Sequence, residues 1–330
     1  MDLIVGSFIE KFKSTKELWP LTILIIMVIV FNIINPAFLS PMNLSNFFAY
    51  FPELGIIALA MTLLLISGEF DLSVGSFFGF GPVLLFILHN EAGVPIILAF
   101  LISILISGFI GFINGLMVTK VKISSFLTTI GMMLIVRGIA LYITDGFPQS
   151  SLNTETSLRN ILAGSFKIGN YTIYSSLIWF LILLFILHWV LKKTRFGNWI
   201  FATGGNARAA RARGINTDRV KIILFILTAV FASLAGTMDA FRIANATPVA
   251  GNGYELEVIA MVVIGGTSLY GGSGTIIGTL IGSILLRAMR NGIIIMGVPG
   301  LAYNIFVGVV ILIMMSIHSL MENNTGGELL

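Results

Sequence analysis

Apolar stretches of about 15 to 25 residues recur from one end of the chain to the other, and nothing else in the sequence narrows its fold so far. A helix needs about 20 apolar residues to cross the hydrocarbon. Candidate spans lie at about 18–38, 53–67, 72–88, 94–118, 125–143, 173–191, 220–238, 255–270, 274–290 and 301–318. Several are short, so eight to ten crossings are expected rather than a fixed ten. Hydrophobic residues make up 57% of the 330 and charged residues 10%, against about a quarter charged in soluble domains. A mean hydropathy of +1.00 exceeds what one soluble core hides. The expected fold class is an all-α polytopic membrane protein, some of its helices broken. A single transmembrane domain over residues 1–330 is expected.

Sidedness follows from the cations in short loops. Of 19 lysines and arginines, 13 fall in three segments: the N-terminus with Lys11, Lys13 and Lys16, the pair Lys120 and Lys122, and the run Lys192 to Lys221. Placing all three in the cytoplasm agrees with the parity of the spans between them. The loop 144–172 then faces outward, with Arg159 and Lys167 as its only cations. The net charge of +4 therefore reflects this bias and not a nucleic-acid surface. No small-residue cleavage pattern follows the first apolar run, so it reads as a retained span. With no cysteine there is no disulfide or thiolate chemistry. His89, His188 and His318 lie far apart at the ends of apolar runs and suggest interface residues rather than a metal site.

Two small-residue stripes read as helix packing: Ser103, Ser107, Gly111 and Gly115, and Gly274, Gly278 and Gly282.

The stretch "ISGEFDLSVGS", Ile66 to Ser76, interrupts apolar surroundings with Glu69 and Asp71. The run 53–67 before it is about 22 Å as a helix, short of the roughly 30 Å core. The break at Gly68 then lies inside the membrane, where irregular backbone must be covered by protein or a water-filled cavity, or at the cytoplasmic headgroups, with both acids solvated. A second stretch, "VIGGTSLYGGS", Val263 to Ser273, aligns to the first without gaps at an offset of 197, placing Gly68, Leu72, Gly75 and Ser76 on Gly265, Leu269, Gly272 and Ser273. Paired interruptions in two halves point to a translocation path between internal repeats, whether parallel or inverted. The candidates along it are Glu69, Asp71, Ser73, Ser76, Thr267 and Ser268.

Other charges read more plainly. Arg137, in mid-span, needs a partner, and an acid such as Glu69 or Asp71 is one choice. A structural pairing is favoured over a transport role. Glu255 and Glu257 open a span, where acids suit a helix N-terminus, and a gating role is the rival reading. Arg287 and Arg290 read as membrane-surface anchors.

The cytoplasmic loop 192–219 contains "GGNARAARARG". Gly204 and Gly205 precede a plausible N-cap at Asn206, and Gly214 supplies a stop, so a short helix is expected over Ala207 to Arg213. It reads either as a basic helix on anionic headgroups or as a docking helix for a soluble partner. The small Ala207, Ala209, Ala210 and Ala212 suit a groove better than lipid and favour docking. No G-x-x-x-x-G-K-[ST] occurs, and "GGSGTIIGT" lacks the phosphate-reaching lysine. Any ATP must be bound by a partner.

Three separated motifs, "GIIALAMTLLLISGEFDLSVGS", "ATGGNARAARARGI" and "AGNGYELEVIAMVVIGGTSLYGGSGTIIGTLIGS", closely resemble the membrane permease subunits of ribose-type ABC sugar importers. The resemblance covers about residues 45 to 318. It departs from the family's usual G-G-I-D-L-S at Glu69 and Phe70. It implies a multi-pass protein of a bacterial-type inner membrane, with no catalytic residues, metal or cofactor of its own. It also implies a second permease copy or paralogue, two cytoplasmic ATPase subunits carrying ATP and Mg, and an extracytoplasmic sugar-binding protein. The segment Gly204 to Gly214 resembles the ATPase-coupling region, and the outward loop 144–172 is the candidate dock for the binding protein. An ion-gradient-driven secondary transporter is the main alternative. A passive channel and a membrane scaffold are weaker ones.

Overall fold

The computed structural model describes residues 18–150 and 157–299, together with residues 305, 306, 308, 309 and 312. The lysines of the N-terminal stretch, residues 151–156 of the outward loop, most of the last candidate span and His318 lie outside the described residues.

Twelve α-helices precede residue 299 among the described residues. They are α1 (Leu18–Ile34), α2 (Pro41–Ile66), α3 (Val74–Asn90), α4 (Ile96–Leu116), α5 (Ser125–Ile143), α6 (Ser157–Ala163), α7 (Ser175–Lys193), α8 (Arg195–Gly205), α9 (Ala207–Ala212), α10 (Thr217–Ile243), α11 (Tyr254–Ile264) and α12 (Ile276–Ile295). Six helices are long and apolar enough to cross a membrane, and α1 and α3 are shorter apolar helices. The molecule is an all-α, multi-pass membrane protein.

Two elements differ from expectation in length. Helix α2 starts at Pro41, twelve residues before the expected span. Asn43, Ser45, Asn46 and Pro52 read as breakers in sequence. Instead, Ser40 caps the helix by accepting from the Asn43 N–H (3.3 Å), Pro41 takes the first helical position, where no N–H is needed, and Pro52 is carried inside the helix. At 26 residues, or about 39 Å, α2 crosses the whole hydrocarbon. Shortness is therefore not what marks the break after it. Helix α11 is the opposite case. Its 11 residues rise only about 16 Å, so it reaches part-way and stops.

Among the described residues the cation-rich loops and the loop 144–172 lie at opposite ends of the bundle. At one end Lys120 and Arg211 converge on Asp218, at 2.9 and 3.1 Å. At the other, β1 (Gln149–Ser150) pairs antiparallel with β4 (Asn245–Ala246), and β2 (Ser165–Ile168) with β3 (Tyr171–Tyr174). Over its described residues the loop 144–172 is thus built rather than open. It carries α6 and a hairpin, and it is tied down where the Thr172 N–H donates to Ser45 Oγ (2.9 Å) and Arg159 Nε to the Phe241 carbonyl (3.1 Å).

Helix α2 is the axis of the bundle, with 94% of its apolar window buried, while α5 lies on the perimeter with 17%. The first small-residue stripe does pack helices. A methyl on Gly111 would come 2.6 Å from the Phe225 carbonyl of α10, and one on Gly115 would come 2.7 Å from Ile222 Cα. Gly278 and Gly282 meet the backbone of α11 in the same way. Edge-to-face rings close the outer half, Phe86 on Phe241 (5.6 Å) and Phe51 on Phe180 (4.9 Å).

Candidate translocation site

Both interruptions end a helix by the same local chemistry. At the end of α2, Gly68 N–H bonds the Leu65 carbonyl (2.9 Å) and Glu69 N–H the Leu64 carbonyl (3.2 Å). At the end of α11, Gly266 N–H bonds Val263 (2.8 Å) and Thr267 N–H bonds Val262 (3.2 Å). These are Schellman pairs. They need a left-handed residue just past the helix, which Gly68 (φ 85°) and Gly266 (φ 88°) supply. A matching turn follows each. Asp71 Oδ1 accepts from the Ser73 N–H (2.8 Å), and Ser268 Oγ accepts from the Tyr270 N–H (3.2 Å). The sequence alignment at offset 197 holds at the turns and slips by one residue at the helix ends.

The two breaks touch. Gly272 N–H donates to the Ile66 carbonyl at 2.8 Å, and a methyl on Gly271 would come 2.9 Å from Gly68 Cα. Thr62 and Thr279 hydroxyls pair at 2.5 Å between α2 and α12. Each break is entered from the outward side and left by a helix returning there, so the repeat is parallel in sense.

The first break climbs into the bundle. Glu69 stays at the cytoplasmic end, where its Oε1 pairs with Lys221 Nζ at 2.5 Å, both side chains largely buried. Asp71 is fully enclosed. It accepts from the Ser73 N–H and hydroxyl and from Thr228 Oγ1 of α10 (2.8 Å), while Asn114 of α4 donates to Ser73 Oγ (3.1 Å). A carboxylate at this depth is tolerated because every approach carries a donor. Ser76 Oγ donates to the Met133 carbonyl of α5 at 2.8 Å. In the second break Thr267 and Ser268 are buried, and Ser268 N–H donates to the Ser273 carbonyl (3.0 Å).

The cytoplasmic segment completes the arrangement. Asn206 Oδ1 caps α9 by accepting from the Ala209 N–H (3.0 Å), and Gly214 (φ 84°) ends it, as the sequence suggested. Gly204 of α8 is wedged between the breaks. A methyl there would overlap the Ile66 carbonyl oxygen and come 2.7 Å from Gly272 N, and Gly205 backs onto Gly272. Ala210 is buried and Ala207 half-buried, while Asn206 and Ala209 are exposed. Arg211 bonds Thr217 Oγ1 (2.7 Å) and Asp218. A cavity of about 400 Å³, bordered by Glu69, Lys122, Ser125, Arg211, Asp218 and Lys221, opens between α9 and the first break.

Three pairings differ from the sequence reading. The partner of Arg137 is Asn252, whose Oδ1 accepts from Nη1 at 2.7 Å, and not an acid. Arg287 is buried rather than anchored at the surface, bonding Glu257 (3.3 Å) and the Tyr50 carbonyl (3.1 Å). Glu257 also faces Arg290 at 3.8 Å, so it serves an ion network as well as a helix start. Sequence reasoning missed Glu53, Asp239 and Arg242. Arg242 binds Glu53 with two hydrogen bonds (3.0 and 2.9 Å), pairs with Asp239 at 2.5 Å, and lies 3.9 Å over the Tyr50 ring. The available signal was a carboxylate inside the apolar run of α2.

A family model described as the permease component of the branched-chain amino acid transport system matches residues 43–315. The chain is 38% identical over 302 residues to the ribose import permease of Bacillus subtilis, covering 90% of this chain and 91% of that protein. It is 37% identical over 292 residues to the ribose import permease of Escherichia coli K12, covering 88% and 89%. It is 34% identical over 299 residues to the xylose/arabinose import permease of Sulfolobus acidocaldarius, covering 88% and 81%. No solved structure matches the chain.

Proposed function

The chain belongs to this family of transport permease components, and we propose that it forms the translocation pathway of an ATP-driven importer for a small sugar handed over by an extracytoplasmic binding protein. The sugar class rests on the relatives' names, ribose twice and xylose/arabinose once. In this reading two ATPase subunits carry ATP and Mg in the cytoplasm, and a second copy or a paralogue completes the pathway. The outward loop 144–172, with its short helix and hairpin, is the dock for the binding protein.

One observation carries the mechanism: Gly204 and Gly205 pack, backbone on backbone, against both interrupted segments. A push on the exposed side of α9 passes through Gly204 to Ile66 and Gly272 with no side chain between to absorb it. Glu69, Asp71, Ser73, Ser76, Thr267 and Ser268 then form the cytoplasmic closure of the pathway, and parting the two breaks opens it. An ion-gradient-driven transporter is the alternative. It gives no reason for a small-residue helix standing exposed beside both breaks.

The test is co-purification of the tagged chain from its native membrane in mild detergent. Ala209 is exposed, so Ala209→Trp leaves the fold intact. Recovery of an ATPase with the parent chain and its loss with Ala209→Trp supports the importer. A chain that purifies alone and still moves sugar on an ion gradient in liposomes sinks it.

A further inference from the structure

A cavity of about 510 Å³ lies in the outward half, between α2, the last turn of α10, the start of α11 and the end of α12. Its volume falls within the range of small-molecule sites. Charges within an apolar bundle are expensive and tend to mark function, and this wall holds four, Glu53, Asp239, Arg287 and Arg290, whose partners Arg242 and Glu257 lie outside the lining. Glu53 and Asp239 share Arg242, and Arg287 and Arg290 share Glu257. The cavity's four lining charges, two acids and two arginines, sum to zero. Its other polar groups are amides and phenols. Asn46 and Asn291 make no side-chain hydrogen bond among the described residues, and each amide both donates and accepts. Tyr50 and Tyr254 add two rings, the first fixed by the Arg242 guanidinium and the second by Phe78 at 5.1 Å.

Free amides that match hydroxyls in both directions, flat rings that match C–H faces, and no net charge together define one ligand class. We propose that this cavity is the receiving site for the cargo, taking a neutral polyhydroxylated molecule from the outward side before it reaches the closed breaks. A lipid phosphate finds Arg287 already held by Glu257 and the Tyr50 carbonyl, and its binding at Arg290 is the outcome the labelling test below excludes. The proposal deepens the importer reading and rests on it.

The parent chain has no cysteine, so single cysteines report cleanly. Asn46→Cys and Asn291→Cys are placed in the assembled transporter in nanodiscs and treated with a membrane-impermeant thiol reagent, with D-ribose, D-xylose or L-arabinose added in turn. Trp199→Cys, on the cytoplasmic helix α8, is the control. The expected result is labelling at both outward sites, slowed about threefold or more by at least one sugar at millimolar concentration, with the control unaffected. Asn291→Leu should lower uptake about tenfold while the ATPase stays bound and hydrolysing. Labelling that no sugar slows, or that is blocked by phosphatidylglycerol instead, overturns the site and leaves the importer reading standing if the parent transporter takes up sugar. A parent chain that purifies without an ATPase and moves sugar on an ion gradient removes the importer reading and the site with it.

Discussion

Gly272 donates its backbone N–H to the carbonyl of Ile66 across 2.8 Å, so two interruptions some two hundred residues apart in sequence are joined by one hydrogen bond between main chains. Gly204 stands against the same carbonyl. Three loops that would be unconnected at the surface of a soluble protein therefore form one backbone junction, at a depth where stray polar groups must find partners.

That junction leaves no room for a side chain. Gly204→Ala is expected to cost about 1–3 kcal/mol through overpacking and to depress uptake, because the methyl forces Ile66 and Gly272 apart. Gly138→Ala is the contrast. It lies within α5 with open space around its added methyl, and it should be neutral or stabilising by up to about 1 kcal/mol. Thermal unfolding in detergent and uptake by the two variants check both. Equal behaviour would mean that the junction is not tight.

The Glu69–Lys221 pair ties the first break to α10 at the rim of the cytoplasmic cavity. Its side chains are mostly buried, so removing one partner strands the other. Glu69→Gln or Lys221→Met should each cost about 1–3 kcal/mol, and the exchange Glu69→Lys with Lys221→Glu should recover most of the loss. A double-mutant cycle on thermal unfolding reads the coupling directly. Additive single losses would show that the pair contributes nothing.

How much of this was legible in the sequence depends on range. The bounds of α5 and the cap, helix and stop at Asn206, Ala207–Ala212 and Gly214 follow from neighbours within four residues, and the sequence reading found them. The start of α2 was hidden because Pro52 reads as a breaker, although long-range packing carries it inside a helix. Pairings across more than a hundred residues were not recoverable. Nothing local distinguishes Asn252 from Asp71 as the partner of Arg137, or tells a buried Arg287 from a half-buried Arg290 three residues on. Glu53 was visible as a lone acid among apolar residues, but its partner Arg242 was not. The repeat was readable at the turns and blurred at the helix ends, where the second glycine has moved by one position.

Asp71 is closed off from solvent and holds together α3, α4 and α10 through Ser73, Asn114 and Thr228. Asp71→Ala leaves the Ser73 N–H and hydroxyl without their acceptor, at about 1–3 kcal/mol for each buried group stranded, while Thr228 keeps the Phe225 carbonyl. It should therefore fail in folding and yield. Thr228→Val removes one donor only, and it should fold with a loss of about 1 kcal/mol. Membrane-fraction yield and thermal midpoint separate the two. An Asp71→Ala chain that folds normally but fails in uptake would instead make Asp71 a direct cargo contact.

Arg242 and Arg137 should respond in opposite ways. Arg242 is fully engaged, with both carboxylates and a ring around it. Arg242→Met leaves Glu53 and Asp239 side by side without their cation, so it should cost about 3–5 kcal/mol. Arg137 is bonded only through Nη1 to Asn252, and its Nε and Nη2 are enclosed without a partner among the described residues. It sits six residues, or about 9 Å, from the Ile143 end of α5, and the Asn252 it bonds is itself exposed. Arg137→Met relieves a poorly paired charge and should leave the thermal midpoint unchanged or raised. A charge retained at such a cost has some use in the working assembly, so uptake should still fall, by about tenfold or more. The measurement is thermal unfolding and uptake on the same two preparations. Loss of stability in Arg137→Met comparable to that in Arg242→Met would show that Arg137 is a structural pair after all and that its open N–H groups have partners in the assembled transporter.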